Sequence, residues 1–196
     1  MAAAGTARAV FLDRDGVILV ENGFVVEPAG IRVAPDAPEA LARLRENGFD
    51  LVVVTNQSAV ARGLASEERV RAVHERLGEM LAAAGADVRA FYVCPHHPSA
   101  DVAAYRVACD CRKPRPGLLL RAAAELGIDL AASVMVGDRL SDVAAGRRAG
   151  CRTVLVRTGA HLEPPIELLE PLEPDLAADH VCDTLGEAAA WILASA

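Results

Sequence analysis

Two aspartates follow directly after an apolar segment near the start of the chain. The segment Ala9–Leu12 leads into Asp-Arg-Asp-Gly at positions 13–16, a pattern typical of a strand that is buried on both faces and ends in a polar turn. Buried carboxylates are costly unless a cation or hydrogen-bond donors stabilise them. Asp13 and Asp15 therefore indicate a binding or catalytic site, and a simple polar turn is the alternative that these residues alone leave open.

Three more segments of the chain place polar residues at or near the ends of predicted strands. They are Thr55-Asn56, Arg112-Lys113-Pro114 at the end of a long loop, and Gly137-Asp138-Arg139 with Asp142 close behind. In open α/β sheets the carboxyl ends of the strands share one edge, and ligands bind there. We therefore expect the carboxylates, the threonine hydroxyl and the cationic side chains of these segments to converge.

This combination of groups suits phosphoryl transfer through an aspartyl intermediate. A carboxylate that attacks a phosphate meets a repulsion of about 4 kcal/mol for each pair of unit charges at ~4 Å and an effective dielectric constant of about 20. A hard divalent cation and a lysine are needed to offset this repulsion. Asp13 and Asp138 could supply the carboxylates that Mg²⁺ prefers, and Asp15 could act first as general acid and then as general base.

A second group of potential metal ligands lies in a loop without evident periodicity. The spacings Cys-x-His at 94–96 and Cys-x-Cys at 109–111 form two tight pairs. Three thiolates with one imidazole would make a closed tetrahedral zinc site of the structural kind. On spacing alone His97 could replace His96, and reduced cysteines without a metal are the other interpretation. Zinc at this place would position the arginine and lysine at 112–113, which follow at once.

The rest of the chain alternates short apolar segments with amphipathic ones. Strands are predicted near 9–12, 51–54, 88–93, 133–136, 152–156 and 180–182, and helices near 36–47, 66–84, 116–127, 140–149 and 185–193. This alternation predicts an α/β fold in which helices cover both faces of a mostly parallel sheet. No insertion has the length of a large cap domain, and the proline-rich segment Glu163–Pro174 is predicted to be a surface loop.

Length and composition predict a single domain over residues 1–196, with a zinc-binding loop at about 94–111. Hydrophobic residues make up 53% of the chain, and its net charge of −7 argues against a general nucleic-acid binder. No apolar segment is long enough to span a membrane and no secretion signal is evident, so we expect a cytoplasmic protein that does not contact a membrane. We also expect a monomer that does not bind nucleic acid. The isolated His74 is predicted to be a surface residue, and Cys151 and Cys182 are predicted to be buried thiols.

The four polar segments, in their order along residues 8 to 160, resemble the four motifs of the haloacid dehalogenase (HAD) superfamily of phosphatases. The resemblance implies a Rossmann-like three-layer sandwich in which Asp13 is the nucleophile and Asp15 the acid and base. It implies that Thr55 and Lys113 hold the transferring phosphoryl group. Mg²⁺ would bind to Asp13, to the backbone carbonyl of Asp15 and to Asp138, and Asp142 would orient this set.

The sequences Cys-Pro-His-His-Pro from 94 and Cys-Asp-Cys-Arg-Lys-Pro from 109 narrow the resemblance to a family that includes heptose-bisphosphate and histidinol-phosphate phosphatases. The family implies structural zinc on Cys94, His96, Cys109 and Cys111. It also implies substrate contacts from Glu21, Asn22, Gly23, Phe24, Thr55, Asn56, Gln57, Ser58, Arg112, Lys113 and Arg139. Two positions depart from the usual family sequence: Glu21–Phe24 replaces an Asp-His-Gly-Tyr type, and Arg139 stands where lysine is common.

We therefore expect a Mg²⁺-dependent phosphatase for a small sugar phosphate, with heptose 1,7-bisphosphate converted to heptose 1-phosphate as the leading hypothesis. Histidinol phosphate is the alternative substrate. Arg62 could contact a distal phosphate or could be a surface arginine. A zinc-ordered binding module without catalysis is the alternative from another class, and the intact Asp13/Asp15 pair disfavours it, because a module of that kind has no need of the second aspartate.

Overall fold

The computed structural model describes residues 7–159, 172–173 and 175–195. Its strands are β1 (Arg8–Leu12), β2 (Phe49–Asn56), β3 (Val88–Cys94), β4 (Val134–Gly137), β5 (Arg152–Val156) and β6 (His180–Cys182). Its α-helices are α1 (Ala37–Glu46), α2 (Ser58–Ala61), α3 (Glu67–Ala82), α4 (Gly117–Leu126), α5 (Leu140–Ala149) and α6 (Leu185–Ala194). Short 3₁₀ turns occur at Pro28–Gly30 and Ala103–Tyr105. All the predicted strands and helices are present; α2 is an additional single turn.

The six strands form one parallel sheet in the order β3-β2-β1-β4-β5-β6. From β1 the chain first adds strands on one side of the sheet and then on the other, so β1 and β4 flank the point at which the direction of winding reverses. Crevices that bind ligands open at this point in sheets of this kind. The first aspartate and the end of β4 therefore lie where the fold favours a site.

Helices cover both faces of the sheet, and β1 shows why the strand is apolar throughout. Its Val10 and Leu12 belong to one buried cluster, which includes residues of α1, α3 and α6. Its Ala9 and Phe11 belong to the other, which includes residues of α4 and α5. A central strand of a parallel sheet meets packed helices on each side, so it cannot alternate between apolar and polar residues. The predicted three-layer α/β sandwich is confirmed.

Local sequence determines where several helices begin and end. Ser66 accepts a hydrogen bond from the backbone N–H of Arg69 at 3.2 Å and caps α3. Gly127 and Gly150 follow α4 and α5 with φ values of 67° and 88°, a conformation that glycine adopts without a steric penalty. Most of the proline-rich segment 163–174 lies outside the described residues. Among those that are described, no helix is long and apolar enough to cross a membrane.

Candidate active site

The site begins where β1 and β4 end side by side. The backbone N–H of Asp13 donates to the carbonyl of Val136 at 3.0 Å, so the pairing of the two strands continues one residue beyond β1. Gly137 ends β4, and a Cβ atom at this position would collide with the side chain of Asp142. The glycine lets the first turn of α5 come close to the strand, which brings the carboxylate of Asp142 to the same edge as Asp13.

Lys113 connects these carboxylates. Its Nζ lies 3.1 Å from Asp13 Oδ1 and 2.6 Å from Asp142 Oδ1, and it donates to the carbonyl of Val54 at 2.9 Å. The Lys113 side chain is 1% exposed. Burial alone would lower the pKa of Lys113, but the negative charges of Asp13 and Asp142 outweigh burial and raise it. The lysine is therefore a permanent buried cation in the middle of the site.

Asn56, at the end of β2, holds the backbone of Lys113 in place. Its side-chain Nδ2 donates to the Lys113 carbonyl at 3.2 Å, and its Oδ1 accepts from the Lys113 N–H at 3.1 Å. The peptide bond from Lys113 to Pro114 is cis. Asn56 was predicted to contact substrate; the structure assigns both ends of its amide to the lysine backbone.

Two side chains, those of Arg14 and Gln57, hold the carboxylate of Asp15. Arg14 Nε donates to Oδ1 at 3.0 Å and Arg14 Nη2 donates to Oδ2 at 2.8 Å. Gln57 Nε2 donates to Asp15 Oδ2 at 2.9 Å and also to Thr55 Oγ1 at 3.0 Å. The predicted acid/base residue and the predicted phosphoryl-binding threonine are thus joined through one amide. The sequence placed Gln57 only among the substrate contacts.

The prediction for His74 is wrong. His74 lies in α3, is 4% exposed, stacks on Phe91 with ring centroids 4.9 Å apart, and its Nε2 lies 3.1 Å from Arg14 Nη1. Burial and the charge of Arg14 lower its pKa to about 3. The spacing of Val70, His74 and Leu77 on the buried face of α3 is the sequence signal that could have placed this histidine inside.

Three carboxylates at this edge could hold a cation. One oxygen from each of Asp13, Asp138 and Asp142 lies within 4.8 Å of the others, and all three residues are buried. A Cβ atom at Gly16 or Gly159 would collide with the Asp138 carboxylate, so the space around this aspartate depends on two glycines. Three carboxylates outnumber the single charge of Lys113, and hard oxygen ligands of this kind suit Mg²⁺.

Asp142 is the most constrained of the three carboxylates. Its Oδ2 accepts from the backbone N–H of Arg139 at 3.0 Å, while its Oδ1 contacts Lys113. Burial raises its pKa, and the charge of Lys113 opposes that shift. Asp13 differs: its contacts with Lys113 and with the N–H of Arg14 both fall on Oδ1. Its Oδ2 forms no hydrogen bond with any residue that the structure describes.

The predicted zinc ligands come together as a compact cluster. Cys94 Sγ lies 3.6 Å from Cys109 Sγ and 3.2 Å from Cys111 Sγ, and His96 Nδ1 lies 3.4 Å from Cys111 Sγ and 3.8 Å from Cys94 Sγ. Zn–S bonds of about 2.3 Å in a tetrahedron place sulfur atoms about 3.8 Å apart. The four ligand atoms therefore fit one zinc ion.

The structure distinguishes between the two adjacent histidines. His96 belongs to the cluster, whereas His97 is buried elsewhere and its Nδ1 accepts from the Ser99 N–H at 3.1 Å. Hydrogen bonds with other members of the cluster lower the pKa of Cys111 to about 5, chiefly the bond with Cys94, while burial opposes this shift. Cys151 and Cys182 lie outside the cluster and are buried, as predicted.

Arg112, which directly follows Cys111, interacts electrostatically with a second arginine, Arg62. Arg112 is 8% exposed, and its Nη1 donates to the carbonyl of His96 at 2.9 Å. Burial lowers the pKa of Arg112; the thiols of the cluster oppose this shift and the positive charge of Arg62 adds to it. Arg62 Nε is buried and has no hydrogen-bond partner among the described residues. Two neighbouring guanidinium groups with an unsatisfied donor are suited to an anion.

The structure shows where the other predicted substrate contacts lie but gives few side-chain contacts for them. Glu21–Phe24 is exposed, and Phe24 is 51% exposed. This loop leaves the turn that follows Asp15, and within it the Gly23 N–H donates to Glu21 Oε1 at 3.2 Å. Ser58 opens α2. Arg139 precedes α5, where its backbone N–H bonds to Asp142. Their contact with a substrate stays a prediction.

Fold and site together define a class of hydrolase, and a comparison with protein families agrees. The model of the HAD-hydrolase-like family matches residues 110–188. This range contains three of the residues that meet in the carboxylate cluster, Lys113, Asp138 and Asp142.

Relatives and solved structures cover nearly all of the chain. The D-glycero-beta-D-manno-heptose-1,7-bisphosphate 7-phosphatase of Yersinia pestis is 44% identical over 91% of this chain and 92% of its own length. The protein of that name from Escherichia coli K12 is 43% identical over 94% and 93%. A crystal structure of D,D-heptose 1,7-bisphosphate phosphatase from B. bronchiseptica, complexed with magnesium and phosphate, has a TM-score of 0.80 at 35% identity and covers 96% of this chain and 99% of its own.

At this identity and coverage, the chain belongs to the HAD-superfamily phosphatases represented by these heptose-bisphosphate phosphatases, and it is a phosphoric monoester hydrolase.

Proposed function

We propose that this phosphatase removes the C7 phosphate of a heptose 1,7-bisphosphate by transfer of the phosphoryl group to Asp13, with Mg²⁺ as cofactor. The contact of the buried Lys113 with both Asp13 and Asp142, at the switch point of the sheet, is the observation that carries the proposal. The substrate is proposed from the activity for which relatives at 43% and 44% identity are named.

Asp13 is the nucleophile in this proposal. Both of its polar contacts with the described residues involve Oδ1, which leaves Oδ2 to approach phosphorus. The ammonium of Lys113, 3.1 Å away, offsets the repulsion between this carboxylate and the incoming phosphate dianion. The hydroxyl of Thr55, which Gln57 orients, serves as a further contact for the phosphoryl oxygens.

Asp15 transfers protons on both halves of the reaction. As a general acid it donates to the leaving sugar oxygen, and as a general base it then accepts a proton from the water that hydrolyses the intermediate. Its side chain is 25% exposed, so it can reach both solvent and a bound substrate. Gln57 and Arg14 both donate hydrogen bonds to its carboxylate. Gln57 also donates to the Thr55 hydroxyl, so Asp15 is held close to the predicted phosphoryl-binding residue.

Asp13, Asp138 and the backbone carbonyl of Asp15 would hold Mg²⁺, with Asp142 orienting the set through Lys113. When bound, this cation would supply positive charge to the phosphoryl oxygens and to the carboxylates. The fit rests on three buried carboxylates with oxygens within 4.8 Å of one another, two of which contact Lys113, and the related crystal structure complexed with magnesium and phosphate supports it.

Zinc has a structural role in this proposal. Cys94, His96, Cys109 and Cys111 supply four protein ligands, which leaves no open position for water. The site orders the loop that carries Arg112 and Lys113, since Arg112 bonds to the carbonyl of His96.

The second anionic group of the substrate would bind to the pair Arg62 and Arg112. Lys113 is already engaged with the carboxylates, so the phosphate that is not cleaved needs other cations. The buried, unsatisfied Nε of Arg62 favours an anion over the ammonium group of histidinol. Glu21, in the exposed loop, is the residue that could favour an amine, and histidinol phosphate is for this reason the second candidate substrate.

The test compares kcat/KM for heptose 1,7-bisphosphate and for histidinol phosphate. We expect the bisphosphate to be preferred, and we expect Arg62→Gln to lower its kcat/KM about tenfold or more through loss of a charge-assisted hydrogen bond. The same substitution should change histidinol phosphate turnover little. Arg76→Gln is the matched control, because Arg76 is an exposed arginine of α3 paired with Glu79. Faster turnover of histidinol phosphate, or an equal loss on both substrates, would contradict the assignment.

A further inference from the structure

The buried contact between Arg14 and His74 has no role in the reaction as described so far. Arg14 is fully buried, although it lies between the two aspartates of the predicted site. A buried guanidinium is costly unless each of its donors has a partner. In this structure the partners are Asp15 on one side and His74 on the other.

The contact between Arg14 and Asp15 is a bidentate one. Arg14 Nε lies 3.0 Å from Asp15 Oδ1 and Arg14 Nη2 lies 2.8 Å from Asp15 Oδ2. Two parallel bonds from a planar group determine the plane of a carboxylate as well as its position. The bond from Gln57 to Oδ2 then adds a third constraint.

His74 in turn restrains the guanidinium. Its Nε2 is 3.1 Å from Arg14 Nη1 and accepts a hydrogen bond from it, which requires a neutral ring with the proton on Nδ1. The ring lies against Phe91 with an interplanar angle of 12°. Since burial and the Arg14 charge lower the pKa of His74 to about 3, the ring remains an acceptor at neutral pH.

We propose that His74 and Arg14 are positioning residues for proton transfer: His74 orients the guanidinium, and the guanidinium orients the Asp15 carboxylate toward the leaving oxygen. This inference rests on the proposed role of Asp15 as general acid. It assigns to α3, which lies outside the four sequence motifs, a direct effect on the chemical step.

The dependence of rate on the leaving group distinguishes positioning from a purely structural role. Departure of a sugar alkoxide needs a proton, whereas p-nitrophenolate is stable enough to leave without one. A misoriented Asp15 should therefore slow cleavage of an alkyl phosphate more than cleavage of p-nitrophenyl phosphate. General loss of folded enzyme would lower both rates by the same factor.

The experiment measures kcat/KM for heptose 1,7-bisphosphate and for p-nitrophenyl phosphate in four proteins. These are the wild type, His74→Phe, His74→Gln and Asp15→Asn. His74→Phe keeps an aromatic ring against Phe91 but removes the acceptor, whereas the Gln side chain can present an oxygen near the position of Nε2. We expect His74→Phe to lose about tenfold on the bisphosphate and less than about twofold on p-nitrophenyl phosphate. His74→Gln should recover most of the loss.

The Asp15→Asn variant separates failure of this inference from failure of the proposed function. If Asp15→Asn is selective for the bisphosphate while His74→Phe lowers both rates alike or neither, the positioning role is wrong and the role of Asp15 stands. If Asp15→Asn itself lowers both rates equally, the general-acid assignment is wrong. Should His74→Phe fail to fold, Arg14→Lys, which keeps the charge but loses the fork, must give the same selective loss on the bisphosphate.

Discussion

Single buried charges determine much of the behaviour of this site. Lys113 carries a positive charge that two carboxylates stabilise, whereas His74, which is also buried, remains neutral beside a guanidinium. The difference follows from the neighbours: an anion raises the pKa of a buried base, and burial together with a cation lowers it. The same fold thus contains one buried basic group that stays protonated, Lys113, and one that stays neutral at pH 7, His74.

The neutral state of His74 predicts how stability depends on pH. Its pKa is about 3 in the folded protein and 6.5 in the unfolded chain, so between these values the unfolded chain binds a proton that the folded protein does not. The free energy of unfolding must therefore fall as the pH falls below about 6.5. We expect His74→Phe to remove up to about 2 kcal/mol of the loss between pH 7 and pH 5.

Urea denaturation of both proteins at the two pH values measures this effect. Zinc content is determined in each sample, so that metal loss at pH 5 is not counted as an effect of the histidine. Equal losses of stability in the wild type and in His74→Phe would contradict the buried, neutral state of this residue.

At the scale of elements, the loop that carries the predicted zinc ligands connects the edge strand β3 to Lys113. Cys94 ends β3, and Cys111 comes two residues before Lys113. Arg115 Nη1 donates to the carbonyl of Cys109 at 3.1 Å, and Asn56 holds the Lys113 backbone from the other side. Order in the loop and the position of the lysine are therefore coupled through main-chain contacts.

This coupling predicts a joint loss in Cys109→Ser. We expect less than one zinc per protein by elemental analysis, a lower Tm and reduced kcat, because a site that lacks one of four ligands binds zinc more weakly and leaves the loop less ordered. Cys182→Ser is the matched control: its thiol donates to the Thr184 carbonyl far from the loop, and a serine hydroxyl can do the same. Full activity in zinc-free protein would exclude the proposed coupling.

The sequence predicted elements well and side-chain contacts unevenly. Strand β1 was predictable because its residues after Arg8 are apolar, and the clustering of the predicted zinc ligands was predictable because their spacing is short. Spacing alone left His96 and His97 open, since the choice depends on the direction of each side chain after β3; the family resemblance pointed to His96, which lies in the cluster. The Arg14–His74 contact joins residues that are 60 positions apart in the sequence. A local sequence pattern cannot predict a contact across that separation.

At the scale of the whole molecule, the order of the strands assembles the site. The predicted site residues are spread from position 13 to position 142, yet β2, β1 and β4 are neighbours and all point the same way. The parallel arrangement brings their carboxyl ends to one edge. The class of fold and the convergence of the motifs follow from the alternation of strands and helices; the charge balance within the cluster depends on distances that only the folded chain defines.

The central claim is that Asp13 becomes phosphorylated during turnover. The direct measurement is rapid acid quenching of enzyme mixed with heptose 1,7-bisphosphate and Mg²⁺, followed by borohydride reduction and peptide mass analysis. Reduction of an aspartyl phosphate yields homoserine, so the account predicts homoserine at position 13 in the wild type and unchanged asparagine at that position in Asp13→Asn, which should have no measurable turnover. An unmodified Asp13 under conditions in which homoserine appears at another aspartate, or substantial turnover by Asp13→Asn, would contradict the account.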